Sequence, residues 1–488
     1  MSWSPPLALA PVVGRSVPRR EGVDKVTGRA RYTDDIAVPG GGAWYGRTIR
    51  SAIPRGAIRS ITLDPAFDWA RVVVVTADDI PGDNVVQLIR DDQPVLATKG
   101  GEIRHKEEPI LLLAAADRST LEEAASHIRI QYDPAEPVYE LEQATEVFST
   151  VDITKGDVAT AEREADLVVE REFSVGLQEQ LYIEPQGAIA FPEANGSIKI
   201  VGSLQCPYYV HRALKRALKL TDQQAVVIQA ETGGGFGGKE EYPSIVAVHA
   251  ALLARKAGRP VRLIYDRHED LAATTKRHPG VIRHRTTVRK DGTLLSQDIE
   301  IVLDGGAYCT LTPVVLSRAA IHAAGPYACP NVRIRARAVA TNTPPNGAFR
   351  GFGAPQSLFA AELMVEHVAE RLGMSSVDLR RKWMLRLGDT TATGQRLTES
   401  VGSELVLDAA LKNAPAVRPS DAVAVSRSCS MARASPAAAR RSCRARSRSK
   451  QCLMAHSASS RPRPKSARAR RPSFVSLPRM HWVWGWTK

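Results

Sequence analysis

Five glycines surround one phenylalanine in ETGGGFGGKEEYPS, Glu231 to Ser244. Before it runs AVVIQAE, a short apolar strand, and after it SIVAVHAALLA, a helix apolar on almost every side. Such a helix can only exist deeply packed. The chain must therefore pass from a strand through a tight glycine turn into a layered interior. The glycines fit two phosphate-binding patterns. Gly233, Gly238 and Lys239 match the start of a P-loop; Gly233, Gly235 and Gly238 match the dinucleotide fingerprint. The P-loop fails at Glu240, where a Mg²⁺-binding hydroxyl belongs and a carboxylate would repel a triphosphate. The dinucleotide motif fails on position, because this stretch lies mid-chain and the next acid after Glu241 is Asp266, beyond a different strand. A plain turn into a buried helix would explain part of the pattern. Successive glycines also let N–H groups converge on an anion or polar ligand, with Phe236 as one apolar surface among them. The reading is a cofactor loop whose ligand the residues alone do not name.

Around it, residues 21–140 alternate strand and helix signals, as in IRSITLD, ILLLAAADRS and IRIQYDP, and read as a compact α/β domain after an N-terminal extension, 1–20. Ser119 and Glu122 fit a capping box for the helix STLEEAASHI. Residues 141–164 read as linker. Residues 165–413 form a longer unit with an amphipathic helix, PYYVHRALKRALKL, a hairpin turning at Asp291-Gly292, and a helix ending at Gly373.

The remainder, 414–488, differs. From Pro415 on it holds 17 Lys/Arg and one acid, Asp421, against a net charge of +14 for the whole chain, so the preceding residues are slightly acidic. The tail has no Ile and two Leu, too little apolar surface to offset chain entropy, and is expected to be disordered. It reads either as a basic arm or as a shifted reading frame. Because the basic character belongs to the tail alone, nucleic acid is disfavoured as a partner of the rest. No apolar run reaches the ~18–20 residues of a membrane span, and no basic n-region precedes the short apolar start. Six scattered cysteines form no C-x-x-C, which disfavours a zinc or iron–sulfur site in this chain and suits a reducing compartment. A cytoplasmic protein is expected.

A second motif, TPPNGAFRGFGAPQ from Thr343 to Gln356, follows the first by about a hundred residues. Together the two resemble the molybdenum-cofactor subunit of the xanthine dehydrogenase/aldehyde oxidase family. QEQLYIEPQGAIA (178–190) and DRHEDLAATTKRHP (266–279) are similar to further blocks of that family, and the N-terminal unit resembles its α/β hammerhead domain. The resemblance runs from about residue 20 to 412. It implies an α+β fold: a hammerhead domain at 21–140, then the first half of a molybdopterin-binding domain at 165–413. It also implies a molybdenum–pterin cofactor (molybdopterin or its cytosine dinucleotide form) with no side-chain metal ligand. Iron–sulfur clusters and FAD would reside on partner subunits. The implied reaction is hydroxylation of carbon with oxygen from water.

By resemblance, Gln205, Gly235, Phe236, Gly237, Phe349 and Arg350 belong to the cofactor site. Glu240 and Arg318 are implied as catalytic and substrate-binding residues, with Phe352 stacking on substrate. Family members acting on purines carry a glutamate and an arginine at the positions of Glu240 and Arg318, so a purine-like heterocycle is the expected substrate, with an aldehyde as the alternative. Without the family, Glu240 would read as a helix N-terminal acid and Arg318 as a surface cation. The family's general base, a glutamate in a G-x-G-E-type motif, has no counterpart after residue 240. The resemblance therefore also implies a truncated chain, and an inactive remnant stays open as a second reading.

Overall fold

The computed structural model describes residues 14–413, leaving out Gly41 and Gln87. The expected disordered tail, 414–488, lies outside the described residues. Three sheets organise the rest. The largest has seven strands, in the order Ala225–Gln229, Ile198–Gly202, Gly187–Pro192, Val261–Ile264, Trp44–Arg50, Pro109–Ala115, Val73–Val75. Its strand Pro109–Ala115, next to the edge strand Val73–Val75, is buried at every residue, as the run PILLLAA requires. The helix Pro243–Ala257 packs on this sheet and is buried without break from Pro243 to Ala254. Pro243 at its first turn and Gly258 in the left-handed region at its end set its limits.

A five-stranded sheet runs Val147–Lys155, Asn331–Val339, Leu294–Asp304, Gly280–Val288, Leu167–Val175. The expected hairpin joins the third and fourth of these, and Gly292, at φ +80°, makes its turn. Helices Thr312–His322 and Ala354–Leu372 cover this sheet and share its core. A three-stranded sheet, Glu102–Ile103, Gly56–Leu63, Ile128–Pro134, completes the N-terminal part.

Three expectations change. Residues 141–164 are not a linker: the strand Val147–Lys155 pairs antiparallel with Asn331–Val339, and a helix follows at Val158–Arg163. VFSTVDITK buries only Phe148 fully, so its strand pattern was masked by polar residues facing outward. The N-terminal part does not close its own sheet. Trp44 and Tyr45 pair in parallel with Val261 and Arg262, and the described residues up to Val401 form one compact unit. Finally, the helix Arg118–Ser126 is capped by Asp117, whose carboxylate accepts from Thr120 N–H, in place of the expected capping box at Ser119. In the second unit, which starts at Gly402, one helix is described, Ser403–Lys412. Among the described residues no helix is long and apolar enough to cross a membrane.

Candidate active site

The glycine loop leaves the end of strand Ala225–Gln229 and is fastened from beneath. Gln205 Oε1 accepts from Gly237 N–H at 2.9 Å and Lys239 N–H at 3.3 Å. The Gln205 N–H in turn donates to Lys239 O at 2.7 Å. A Cβ on Gly235 would stand 2.5 Å from Gln205 Oε1, so a larger residue there would push the Gln205 side chain off its two N–H groups. Phe236 sits at φ +53°, a strained position for an aromatic residue, between Gly235 and Gly237.

Lys239 does not face a phosphate. Its side chain is fully buried, donates to Glu184 Oε2 at 3.0 Å and Ser203 Oγ at 2.8 Å, and lies 4.8 Å from the centre of the Tyr182 ring. Burial pulls this ammonium below its ordinary value against the attraction of Glu184. Burial alone would raise Glu184, but Lys239, Ser203 and the Gly233 N–H hold it below the usual carboxylate range. The pair is a buried staple under the loop.

The second motif meets the first through backbone. Arg350 N–H donates to Phe236 O at 2.8 Å. A Cβ on Gly237 would stand 2.6 Å from Ala348 O and 2.8 Å from Phe349 Cα, so the two loops touch without side chains between them. Phe352, at φ +52° between Gly351 and Gly353, repeats the conformation of Phe236. Two buried residues hold the junction. Glu241 Oε1 accepts from Ala348 N–H at 3.1 Å, and burial pushes this carboxyl up to about 7. Gln180 Nε2 donates to Ala348 O at 2.8 Å.

A cleft of about 1310 Å³ opens beside the first loop, lined among others by Gln205, Gly233, Gly234, Gly235 and Phe236. Gly237, Phe349 and Arg350 are not among its lining residues. Glu240 is half-buried outside it, and burial alone raises its carboxyl, with no cation acting on it. Arg318 is exposed on the helix Thr312–His322. Phe352 packs partly against the core of the five-stranded sheet. A Cβ on Gly353 would stand 2.9 Å from Ala319 N, which brings that helix against the second motif. The loops are thus gathered, while Glu240, Arg318 and Phe352 do not line this cleft. Glu241, Gln180, Glu184 and Arg277 are the site residues that the sequence reading missed. The blocks QEQLYIEPQGAIA and DRHEDLAATTKRHP contained three of them without roles.

With this geometry, similarity to known proteins is decisive. Residues 139–384 match the molybdopterin cofactor-binding domain, and residues 27–136 match the aldehyde oxidase and xanthine dehydrogenase a/b hammerhead domain. The chain belongs to the xanthine dehydrogenase and aldehyde oxidase family. Like other members of this family of molybdopterin-dependent oxidoreductases, it carries a molybdenum–pterin-binding domain. It is 33% identical to the nicotinate dehydrogenase large molybdopterin subunit of Eubacterium barkeri, over 83% of this chain and 96% of that one. It is also 33% identical to a probable xanthine dehydrogenase subunit from Bacillus subtilis, over 81% of this chain and 54% of that one. Aldehyde oxidoreductase from Desulfovibrio gigas superposes with a TM-score of 0.74 at 27% identity, over 82% of this chain and 47% of that one. The chain thus spans nearly the whole of one family member and about half of the other two.

The residues present fit a pterin cofactor. The N–H groups of Gly234, Gly235 and Phe236 have no acceptor among the described residues, and all three residues line the cleft. Three free donors on a side-chain-poor wall form a cradle for a polar, anionic group. Among the described residues, no group of three or more His, Cys, Asp or Glu gathers as a metal site.

Proposed function

We propose that this chain is the molybdopterin-binding subunit of a molybdenum hydroxylase that acts on an N-heterocycle. The observation that carries the proposal is the direct seam between the two glycine–phenylalanine loops, Arg350 N–H to Phe236 O at 2.8 Å. It sets a donor-rich wall beside an aromatic, arginine-bearing loop. When bound, the molybdenum–pterin group supplies the oxidising centre for transfer of water-derived oxygen to carbon. The chain's own residues then have separate tasks. Gly234, Gly235 and Phe236 offer N–H donors to the cofactor, and Gln205 fixes that wall. Glu240 hydrogen-bonds a ring N–H or ring nitrogen, Phe352 stacks on the ring, and Arg318 stabilises negative charge developing on it.

Glu240 and Arg318 favour a purine-like ring. The nicotinate- and xanthine-named relatives support the wider class of N-heterocycles, and the aldehyde oxidoreductase keeps an aldehyde as the alternative. Electrons leave to an iron–sulfur subunit and an FAD subunit, and the complex works in the cytoplasm. The proton-accepting glutamate of the G-x-G-E-type motif is assigned to polypeptide outside this sequence.

The test is purification of the tagged chain from its native host with whatever it retains. Molybdenum content is measured first, then turnover of hypoxanthine, nicotinate and benzaldehyde in ¹⁸O-water. Molybdenum near one equivalent, with ¹⁸O in a hydroxylated heterocycle, is the expected result. Molybdenum-free protein, or turnover of benzaldehyde alone, would overturn the heterocycle reading.

A further inference from the structure

Arg277 is a buried cation, 6% exposed, with no carboxylate partner among the described residues. Its guanidinium donates to three neutral oxygens: Gln178 Oε1 at 2.6 Å, Arg350 O at 3.0 Å and, more weakly, Gln356 Oε1 at 3.4 Å. It lies 4.0 Å from the centre of the Phe349 ring, a close cation–π contact. A buried charge without a counter-charge is costly to keep. What this charge holds is the loop 349–353, whose Phe352 occupies a left-handed conformation that persists only when its surroundings over-determine it.

The neighbours of Arg277 act on the same motif. Lys276 O accepts from Gly347 N–H at 2.9 Å, and His278 O accepts from Gln356 Nε2 at 3.3 Å. His278 Nε2 meets Thr312 Oγ1 at 2.8 Å, at the start of the helix that bears Arg318. Three consecutive residues thus fasten both ends of the second motif and the head of that helix.

We propose that Arg277 is the positioning residue of the second loop, fixing Phe349 to Gly353 so that Phe352 is presented to the substrate. Arginine is needed for two reasons: its planar fork reaches three oxygens while its face stacks on Phe349, and lysine offers a point charge with neither property. The role of Phe352 rests on the heterocycle reading above; the immobilisation of the loop does not.

The full chain is compared as wild type, Arg277→Lys and Arg277→Met by hydrogen–deuterium exchange. In Arg277→Met the Arg350 and Phe352 amides should exchange about tenfold faster or more, as loss of hydrogen bonds from a charged group predicts. Arg277→Lys should fall between, and the helix Pro243–Ala257 should exchange as in wild type. Unchanged loop amides in Arg277→Met, or equal acceleration in that helix, would refute the role. In the assembled enzyme, Arg277→Lys should raise KM for the heterocycle about tenfold with kcat held within about threefold. A fall in kcat at constant KM counts against positioning through Phe352. A chain that never turns over still answers through exchange, which separates failure of this inference from failure of the heterocycle reading.

Discussion

The two glycine–phenylalanine loops have nearly the same backbone at their aromatic residues and are held in opposite ways. Beneath the first, Lys239 is matched by Glu184, and Gln205 occupies two N–H groups so that three others stay free. Behind the second, Arg277 has no matching acid among the described residues, and the loop spends the Arg350 and Phe352 N–H groups on its own seam and turn. A compensated ion pair leaves a wall with donors to offer. An uncompensated cation over an aromatic ring instead clamps a loop whose backbone is already committed. Under the proposed function the difference would divide the work: the first loop would present backbone to a cofactor, and the second side chains to a substrate.

The sharpest way to break this division is Lys239→Met, which leaves the half-buried Glu184 without its fully buried cation. Losing one partner of a buried pair should cost about 3–5 kcal/mol, read as a lower midpoint in urea unfolding. A change below about 1 kcal/mol would place the pair with weak surface bridges and remove the contrast. Next comes Glu241→Gln, at the seam itself. Because burial raises the Glu241 carboxyl to about 7 from 4.5, the folded protein binds more protons than the unfolded chain between those values. Wild-type stability from this group is greatest at low pH and falls as pH rises towards about 7. Glu241→Gln should therefore gain on wild type from pH 5 to pH 8, by on the order of 3 kcal/mol at most, in paired thermal scans. A gap that does not widen with pH would mean that the seam does not hold Glu241 protonated. The smallest stability effect belongs to Arg318→Met. An exposed side chain outside the packed core should change stability by no more than about 0.5 kcal/mol, while substrate turnover drops. Full activity with a heterocycle would sink its assigned role.

The first loop was legible because its physics is local: five glycines, one phenylalanine and an all-apolar helix lie within about two dozen residues. The hairpin turn at Gly292 and the helix end at Gly373 carried their own turn residues and were placed correctly, while the cap of helix Arg118–Ser126 lay two residues before the expected Ser119. Glu241 and Arg277 were not legible as site residues, since their partners Ala348 and Arg350 lie 107 and 73 residues away. No spacing rule connects such pairs. The supposed linker hid a strand for a related reason: its partner Asn331–Val339 is equally remote, and only Phe148 announces a buried face.

The shared seven-stranded sheet has a consequence for the order of synthesis. Trp44 and Tyr45 leave the ribosome early, yet their parallel partners at Val261 and Arg262 follow 217 residues later, roughly 10–40 s at about 5–20 residues per second. Through that interval the nascent amino-terminal portion carries an open strand edge, free to pair wrongly or to recruit a chaperone. Slower translation upstream of Val261 should therefore lower the yield of native chain, whatever its effect on the finished protein.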